Sequence, residues 1–417
     1  MALLVLTCCS LGPTQALPLP SPELNQPWPM YRGDLARDGH PAGATLGRVQ
    51  AGKLALAWRA NLVGAVDGSP AIAGGLVIAG SMGGRLAAFD ESTGTLVWRQ
   101  DGLGEISGSP AIAGGRVYIA TLAGHVRAFD LARGGPIWDW KVPAANAAIW
   151  SSPTAYRDLL VIAVSSAYGD SPFVPGRLFG LDSRTGRERW SVCVRPACQD
   201  GDGIWSTPSI DSSGVAYVGV GNPDDGVLAF DAATGHVLWD RSLYADGGLD
   251  LDVGASPVIL AHAGREVVAV GSNRGTFAVL DARTGTVIWS KDLVTGSAVH
   301  GLIATSAYDG KVLYVPSASP PTGLFALTTA GSVTWNHQTD LPVYSSPALG
   351  DGVIVFGTGA VFGDLGAGSI VALSTADGRE VWSYDTHSAV RSSPAVAGSL
   401  VVAGDYAGDL LAFRPIG

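Results

Sequence analysis

The sequence predicts an all-β fold, an eight-bladed propeller whose blades are four-stranded antiparallel sheets. Two motifs, a Ser/Thr-Pro step and a Trp, each recur at intervals of about 45 residues, as expected for a protein built from stacked repeats. The composition agrees with this prediction. With 47% hydrophobic and 15% charged residues, and 57 Gly and 25 Pro in 417 residues, the chain is too apolar for disorder and too poor in charge for a helical bundle.

The repeat unit is clearest in residues 68–98. Its Ser/Thr-Pro opening returns at Pro70, Pro110, Pro153, Pro208, Pro257, Pro347 and Pro394, with a degenerate copy at residues 301–305. Its closing Trp returns at Trp58, Trp98, Trp138, Trp190, Trp239, Trp289, Trp335 and Trp382. Eight openings and eight closings predict eight blades, because a sheet this small buries both faces only by packing against its neighbours.

Short β-branched and aromatic runs inside each unit predict the four strands, and the turns between them carry their own signals. Strand-ending Asp residues that can accept turn N–H groups lie at Asp90, Asp130, Asp182, Asp231 and Asp281. Gly residues that can take a positive φ follow at Gly94, Gly186, Gly235 and Gly285. The closing Trp residues are interpreted as packing between blades rather than as chemical groups.

The two ends of the repeat array predict how the ring closes. The last unit, residues 393–413, stops before its Trp, whereas Trp58 has no blade before it. We therefore expect residues 54–60 to pair as the outermost strand of the last blade, which removes two exposed sheet edges. The sixth unit is degenerate, and Pro316, Pro320 and Pro321 would interrupt a central strand, so an edge or a loop is expected there.

Residues 1–27 predict a leader and a Pro-rich linker, so the propeller is expected to span residues 28–417. The apolar stretch at 2–11 is typical of a short secretory signal, although no Lys or Arg precedes Arg32, and a disordered tail is the alternative. Cys8 or Cys9 could instead carry a lipid. We therefore expect a periplasmic or extracellular protein of the cell envelope, with a lipid anchor as one option.

Cysteine usage and charge narrow the partners further. In an exported protein, Cys193 and Cys198 would close a small loop as a disulfide. Nucleic acid is not an expected partner, because 36 acidic residues outnumber 26 basic ones and the basic residues form no cluster. No apolar run reaches the roughly 18 residues that a membrane-spanning helix needs, so no transmembrane span is expected.

The Ser-Pro-Ala opening, the Ala-Phe-Asp-x-x-Thr-Gly-x-x-x-Trp closing and the eight-fold count resemble the pyrroloquinoline quinone (PQQ) propeller repeat. Residues 28–39 are also similar to the strap that precedes the first blade in that superfamily. The resemblance covers almost all of residues 28–417 and implies the fold. It leaves the function open, because the superfamily holds both quinoprotein alcohol dehydrogenases and non-catalytic scaffolds such as the outer-membrane assembly lipoprotein.

The resemblance implies a cofactor site before and within the fourth blade. Trp205 looks like the tryptophan that forms the floor under PQQ, and Asn222 looks like the asparagine that gives its carbonyl oxygen to calcium. Both assignments are physically coherent, since a flat quinone needs a flat aromatic surface and calcium prefers oxygen ligands. The alternative is that Trp205 is buried packing and Asn222 is a turn residue before Pro223.

Two acids before the fifth blade extend the implied site. Similar dehydrogenases place a general base in this segment, so Asp250 would take the alcohol proton, and Asp252 would either support the residues that contact the ligand or lie on the metal side. Arg283 is the nearest match to a basic residue that contacts the quinone. The alternative is that both acids solvate a loop or bind a structural cation.

Three departures from the dehydrogenase pattern are visible in the sequence. Tyr168 stands where those enzymes carry a calcium-ligating Glu, and Asp170 is the nearest acid that could compensate. Ala282 occupies the position of the quinone-contacting basic residue, with Arg283 one position later. There is also no Cys-x-x-Cys-His haem motif, so an enzyme of this kind would need an external electron acceptor.

Two functions therefore follow from the sequence. The first is an exported dehydrogenase of the polyvinyl alcohol type that oxidises a small-molecule or polymeric alcohol with PQQ and calcium. The second is a non-catalytic propeller that presents its rim and central mouth to an envelope protein. Because the fold is common to both, only the site can decide between them.

Overall fold

The computed structural model describes residues 28–40, 43–168, 172–245, 247–363 and 365–417. Within these residues the chain forms eight antiparallel sheets around an axis, seven of four strands and one, the third blade, of five, so the predicted eight-bladed propeller is confirmed. The predicted leader, with Cys8 and Cys9, lies outside the described residues. The single α-helix among them has four residues, and no described helix is long and apolar enough to cross a membrane.

The chain enters the ring through α1 (Arg48–Ala51) and β1 (Leu54–Asn61). Blades 1 to 3 are formed by β2 (Ala71–Ala73), β3 (Leu76–Gly80), β4 (Leu86–Asp90), β5 (Leu96–Gln100), β6 (Ala111–Ala113), β7 (Arg116–Ala120), β8 (His125–Asp130), β9 (Pro136–Lys141), the short β10 (Ala147–Ala148), β11 (Thr154–Tyr156), β12 (Leu159–Ser166), β13 (Arg177–Asp182) and β14 (Glu188–Cys193). A 3-10 turn at Pro196–Cys198 follows.

Blades 4 and 5 are formed by β15 (Ser209–Ile210), β16 (Val215–Val220), β17 (Gly226–Asp231), β18 (Val237–Ser242), β19 (Val258–His262), β20 (Arg265–Gly271), β21 (Thr276–Asp281) and β22 (Val287–Asp292). Blades 6 to 8 are formed by β23 (Ala307–Tyr308), β24 (Val312–Ser317), β25 (Gly323–Thr328), β26 (Val333–Gln338), β27 (Ala348–Leu349), β28 (Val353–Gly359), β29 (Gly368–Ser374), β30 (Glu380–Asp385), β31 (Ala395–Ala397), β32 (Leu400–Gly404) and β33 (Asp409–Pro415). The first strand of each blade lies nearest the axis, where it contacts the first strands of neighbouring blades.

The last blade is completed from the start of the chain. Strand β1 pairs antiparallel with β33, and the order in that sheet is β1-β33-β32-β31. The register places Trp58 opposite Ala412 and Asn61 opposite Asp409, whose carboxylate also pairs with Arg59. The expected closure by an N-terminal strand is therefore confirmed, and it joins residues more than 300 positions apart in the sequence.

The sixth blade corrects one expectation. The degenerate unit forms a full four-stranded sheet, and Pro316 lies inside β24 opposite Leu324, although Pro320 and Pro321 do lie in the following loop. Strand β23 covers only Leu313 and Tyr314 of β24. Pro316 therefore faces no ladder partner on that side, and its missing N–H is tolerated there.

The closing Trp residues lie between blades, as interpreted from the repeat. The indole of Trp98 in blade 1 lies on the turn of blade 2, where Gly134 has a φ of 69° and where any Cβ would overlap the ring. Trp98 Nε1 also donates to the Leu131 carbonyl of that turn at 2.8 Å. Equivalent donations to the adjacent blade are made by Trp58, Trp138, Trp239, Trp289, Trp335 and Trp382. The tryptophan and the turn glycine are therefore two halves of one contact.

A second inter-blade contact, which we call the hydroxyl ring, lies close to the axis. Its members are the hydroxyl residues of the repeat openings: Ser69, Ser109, Ser152, Thr207, Ser256, Thr305, Ser346 and Ser393. The backbone N–H of each of the first seven donates to the hydroxyl of the next blade at 2.8 to 3.0 Å. Ser69 Oγ then donates to the Ser393 carbonyl at 2.7 Å, which closes the ring. All eight residues are buried, so water cannot reach these polar groups and the bonds between blades satisfy them instead.

The strap, residues 28–39, seals the axial channel on one side of the hydroxyl ring. Its backbone follows the innermost strands of successive blades, and Trp28 and Ile72 exchange two backbone hydrogen bonds. Five further strap carbonyls each accept one backbone N–H: Pro29 from Ile112, Leu35 from Ile210, Ala36 from Ile259, Asp38 from Tyr308 and Gly39 from Leu349. The strap therefore ties blades 1, 2, 4, 5, 6 and 7 to one segment.

Two arginines of the strap are fully buried. Arg37 donates to the Pro208 carbonyl at 2.9 Å and to Thr154 Oγ1 of blade 3 at 2.7 Å, and Arg32 donates to the Ser306 carbonyl at 3.0 Å. Burial lowers the pKa of each guanidinium to about 10, which leaves both charged at neutral pH. Carbonyl groups that point into the channel are thus satisfied by the strap rather than by water.

Removing one member of the hydroxyl ring should destabilise the propeller. Ser109→Ala leaves the buried Ser69 N–H without its acceptor, so we expect the free energy of unfolding to fall by about 1–3 kcal/mol. Urea unfolding measures this loss. Ser92→Ala, in an exposed turn, is the control and should change stability by less than about 0.5 kcal/mol. Equal stability of the two variants would contradict a structural role for the ring.

Candidate functional site

The axial channel contains a blind cavity of about 180 Å³. Its floor is the strap, where Tyr31 Oη donates to Thr305 Oγ1 at 2.9 Å and lies 3.0 Å from Ser346 Oγ. Its wall is the hydroxyl ring, and its mouth opens at the end of the propeller where the chain passes from one blade to the next. Groups that line it come from all eight blades, so it is a site that only the closed ring can form.

Trp205 lies on the wall of this cavity, just before β15. Its indole is held from two sides. Its Nε1 donates to Asp252 Oδ2 at 2.7 Å, and its ring covers Gly254 so closely that any side chain there would overlap it. Two residues further on, the Thr207 backbone N–H donates to Ser256 Oγ of the hydroxyl ring at 2.8 Å. The aromatic surface is therefore held in place before any ligand binds.

Asn222 lies in the loop between β16 and β17 at the same end of the propeller. Its backbone N–H donates to Asp252 Oδ1 at 3.0 Å, and its Nδ2 donates to Asp250 Oδ1 at 2.7 Å. Its Oδ1 is buried and accepts no hydrogen bond from any described residue. The structure thus brings Trp205, Asn222, Asp250 and Asp252 together in one hydrogen-bonded network.

Asp252 is the centre of this network. One carboxylate oxygen holds the Trp205 indole, the other holds the Asn222 backbone, and its own carbonyl accepts the Asn273 N–H at 2.9 Å. A Cβ at Gly221 would lie 2.8 Å from this carboxylate, so the loop must have glycine there. Both Asp252 oxygens accept hydrogen bonds from protein N–H groups, so Asp252 positions Trp205 and Asn222, while its predicted place on the metal side stays a prediction.

The structure does not bring Arg283 to the other predicted site residues. It lies in the turn between β21 and β22, at the end of the blade opposite the loops that carry Asn222 and the cavity mouth. The intervening strand has six residues, or roughly 20 Å. Arg283 instead lines a separate surface groove of about 840 Å³ together with Asp211 and Glu266. Because it lies in this turn, Arg283 is separated from the cavity mouth by the length of the blade.

Tyr168, which replaces the expected Glu, lies at the cavity mouth. Its ring packs edge-on against Trp150, with centroids 4.7 Å apart and planes at 89°, and the residue is 58% exposed. Burial of the phenol raises the pKa of Tyr168, as do Glu105 and Asp67, while Arg391 opposes the shift. A blade 3 side chain therefore reaches towards groups of blades 8, 1 and 2. Asp170, the acid that could compensate for the missing Glu, lies outside the described residues.

These groups do not make a calcium site. Calcium takes six to eight oxygen ligands, whereas the network offers the buried Asn222 Oδ1 and the nearby Asp250 carboxylate. Tyr168 is neutral, and both Asp252 oxygens accept protein N–H groups. No group of three or more His, Cys, Asp or Glu side chains in the described part of the chain could hold a metal ion. The described residues therefore do not supply the number of oxygen ligands that calcium takes.

A disulfide supports the loop next to the site. Cys193 and Cys198 are joined, with Cα atoms 5.1 Å apart, and Arg177 Nε lies 3.2 Å from Cys193 Sγ. The chain then runs to Asp202, whose buried backbone N–H donates to the Asn222 carbonyl. The bridge therefore restrains the segment that packs against the Asn222 loop.

One register explains which side chains line the cavity, and the sequence reasoning missed it. The residue three positions before each opening proline, or before Ser306 in the sixth unit, always faces the cavity. These residues are Asp67, Ser107, Trp150, Trp205, Gly254, Ile303, Tyr344 and Arg391. Counting back from each Pro would have found Trp150, Asp67 and Arg391 as readily as Trp205.

Comparison with known proteins agrees with the repeat pattern. The family model described as outer membrane protein assembly factor BamB matches residues 42–255, 223–302 and 273–417. The chain belongs to this family of PQQ-type propeller repeats. The BamB-type match covers every blade of the ring, including the sixth blade that the sequence pattern left uncertain.

One curated relative is a dehydrogenase. Over 37% of its length this BamB-family chain is 29% identical to the polyvinylalcohol dehydrogenase of Sphingopyxis sp. (strain 113P3). The match spans only 29% of that relative.

Solved structures share the fold. They include the quinohemoprotein alcohol dehydrogenase from Comamonas testosteroni, with a TM-score of 0.81, 17% identity and coverage of 93% of this chain and 80% of that one. BamB from Moraxella catarrhalis gives a TM-score of 0.68, 18% identity and coverage of 87% and 99%. At these identities the likeness establishes the propeller and leaves its chemistry to the site.

Asp252→Ala should loosen the tryptophan that lines the cavity. The change removes the acceptor of both Trp205 Nε1 and the Asn222 N–H, so we expect a loss of about 1–3 kcal/mol in stability and greater acrylamide quenching of tryptophan fluorescence. The added quenching should vanish in a Trp205→Phe background. Asp200→Ala, an exposed acid nearby, is the control. Unchanged quenching in Asp252→Ala would show that Asp252 does not position the indole.

Proposed function

We propose that this chain binds PQQ in its axial cavity and oxidises an alcohol with it. The observation that carries the proposal is the hydrogen-bonded network in which Asp252 holds both Trp205, a residue that lines the cavity, and Asn222, which in turn holds Asp250. The partial identity to a polyvinylalcohol dehydrogenase supports the reaction class, and we extend the substrate to small-molecule or polymeric alcohols on that basis.

The cavity residues fit the chemical character of PQQ, a planar o-quinone with three carboxylates. Trp205 and Trp150 offer aromatic surface, the hydroxyl ring offers polar groups, and Arg391 offers positive charge. The cavity volume of about 180 Å³ is below the ~300 Å³ at which small-molecule sites begin. Tyr168 lies at the mouth with one aromatic contact. Binding of PQQ would therefore require the cavity to widen.

Bound PQQ would supply the hydride acceptor that the side chains of the protein lack. Asp250 is the proposed general base, because it is exposed and its carboxylate is oriented by Asn222 Nδ2 within the network that holds Trp205. It would take the hydroxyl proton of the alcohol. An external electron acceptor would be needed to complete the reaction. We place the protein in the periplasm or outside the cell, where its disulfide would persist.

A scaffold function is the second candidate, and the BamB-type family match together with Tyr168 in place of an acid favours it. Apolar side chains are exposed in loops at the mouth end, among them Phe362 at 68% and Phe173 at 49%. Such side chains suit contact with an envelope protein. The two functions make opposite predictions for PQQ binding.

Trp205→Ala tests cofactor binding. PQQ added to the purified protein should quench tryptophan fluorescence, and Trp205→Ala should weaken binding by about tenfold or more, because it removes the stacking surface. Trp140→Phe is the matched control, since Trp140 is half-buried and packs on Phe179 away from the cavity. No quenching of the unmodified protein would favour the scaffold.

Asp250→Asn tests catalysis separately from binding. PQQ affinity should stay within a few-fold, whereas dye-linked alcohol oxidation should fall by roughly 10²–10⁴-fold, the contribution typical of a general base. The assay is run with and without calcium. Turnover that does not depend on calcium fits the donor set described above, and full turnover in Asp250→Asn would remove this residue from the mechanism.

A further inference from the structure

The charged groups of the axial cavity lie on one side of it. Among the described residues that line it, Asp67 and Arg391 are charged, and Arg391 is the only cation. Both occupy the register three residues before an opening proline, at the entries to blades 1 and 8. Trp205 occupies the same register at the entry to blade 4. In a ring of eight, entries four blades apart face each other, so Arg391 lies across the axis from the Trp205 indole.

Three contacts define the position of the Arg391 guanidinium. Its Nη2 lies 2.8 Å from Asp67 Oδ1, and its Cζ lies 4.7 Å from the ring centroid of Tyr406. The Arg391 and Asp67 side chains are 18% and 21% exposed, so the pair is largely removed from solvent. A guanidinium held by an acid on one edge and an aromatic ring on one face keeps its plane.

This arrangement leaves donors of Arg391 unused. A guanidinium carries five N–H donors, and Nη2 is the Arg391 nitrogen that pairs with another described residue. Its Nε is buried without a hydrogen-bond partner among the described residues. Burial raises the pKa of Asp67, and Arg391 opposes that shift, so the pair is poorly solvated on both sides. An incoming carboxylate would add an acceptor to a cation that still has donors to give.

We propose that Arg391 is the carboxylate-binding residue of the axial cavity, and that the cavity takes a planar aromatic polycarboxylate with its ring on Trp205 and a carboxylate on Arg391. The inference deepens the proposed function, on which it rests for the identity of the ligand as PQQ. The cation assigned to the ligand is thus Arg391, at the entry to blade 8, and not Arg283, which lies in a turn at the far end of blade 5. Asp67 and Tyr406 are its positioning residues.

Titration of PQQ into the unmodified protein, Arg391→Gln and Arg391→Lys tests this assignment by tryptophan fluorescence. Loss of a charge-assisted bond should weaken binding by about tenfold or more in Arg391→Gln, and Arg391→Lys should recover part of it because the charge returns. Arg379→Gln, which removes an exposed arginine side chain that is 86% accessible, is the charge-matched control and should bind normally. Circular dichroism verifies that each variant folds.

A second probe separates this inference from the enzyme proposal. Benzene-1,3,5-tricarboxylate is planar and carries three carboxylates but no quinone, so it should raise the melting temperature of the unmodified protein and of Arg379→Gln but not of Arg391→Gln. That result supports Arg391 as the carboxylate-binding residue. If alcohol is not oxidised as well, only the proposal of an enzyme fails. PQQ binding that is equal in Arg391→Gln and the unmodified protein overturns the assignment of Arg391 while the function stands. Failure of both probes to bind the unmodified protein overturns both.

Discussion

The hydroxyl ring is the contact on which the rest of this propeller depends. In seven of the blades a backbone N–H donates to the hydroxyl of the next blade, and the Ser69 hydroxyl of the first blade donates to the Ser393 carbonyl of the last. Because these bonds run around the axis and are buried, no blade can shift along it without leaving polar groups unsatisfied. The tryptophan contacts hold the outside of the ring in the same way. Together they fix the height of every blade, and hence of every side chain next to the axis.

Because every blade is held at the same height, the residue at one position in each repeat determines the chemistry of the cavity wall. The residue three before each opening proline always faces the axis, and its identity changes from blade to blade. Trp150 and Trp205 make one side aromatic, whereas Arg391 and Asp67 make the facing side charged. The strap then removes one exit, so that a ligand meets both sides at once and can leave only by the mouth. A repeated scaffold thereby gains an asymmetric site without any insertion in the blades.

The acids near the fourth and fifth blades divide their work. Both carboxylate oxygens of Asp252 accept hydrogen bonds from the protein, one from the Trp205 indole and one from the Asn222 backbone, and so fix these two groups relative to each other. Asp250 is exposed, and its carboxylate accepts a hydrogen bond from Asn222 Nδ2. Alcohol dehydrogenases and BamB share this fold, so the site residues matter more than the fold for deciding function. Tyr168 is the feature that departs furthest from a metal-dependent dehydrogenase, since it puts a phenol where an anion would be needed.

Repetition determined most of the fold. Eight openings, eight tryptophans and an unpaired Trp58 were enough to predict the blade number and the closure by β1, because each depends on a local pattern that the chain states eight times. Trp205, Asn222, Asp250 and Cys193 with Cys198 could be singled out for a similar reason, since each belongs to a short motif. Only the tertiary structure decided the rest. It placed Arg283 at the wrong end of its blade, showed that Pro316 fits inside β24, and brought Arg391 opposite Trp205. Those relations join residues that are far apart along the chain, and they exist only once the ring has closed and set all blades at one height.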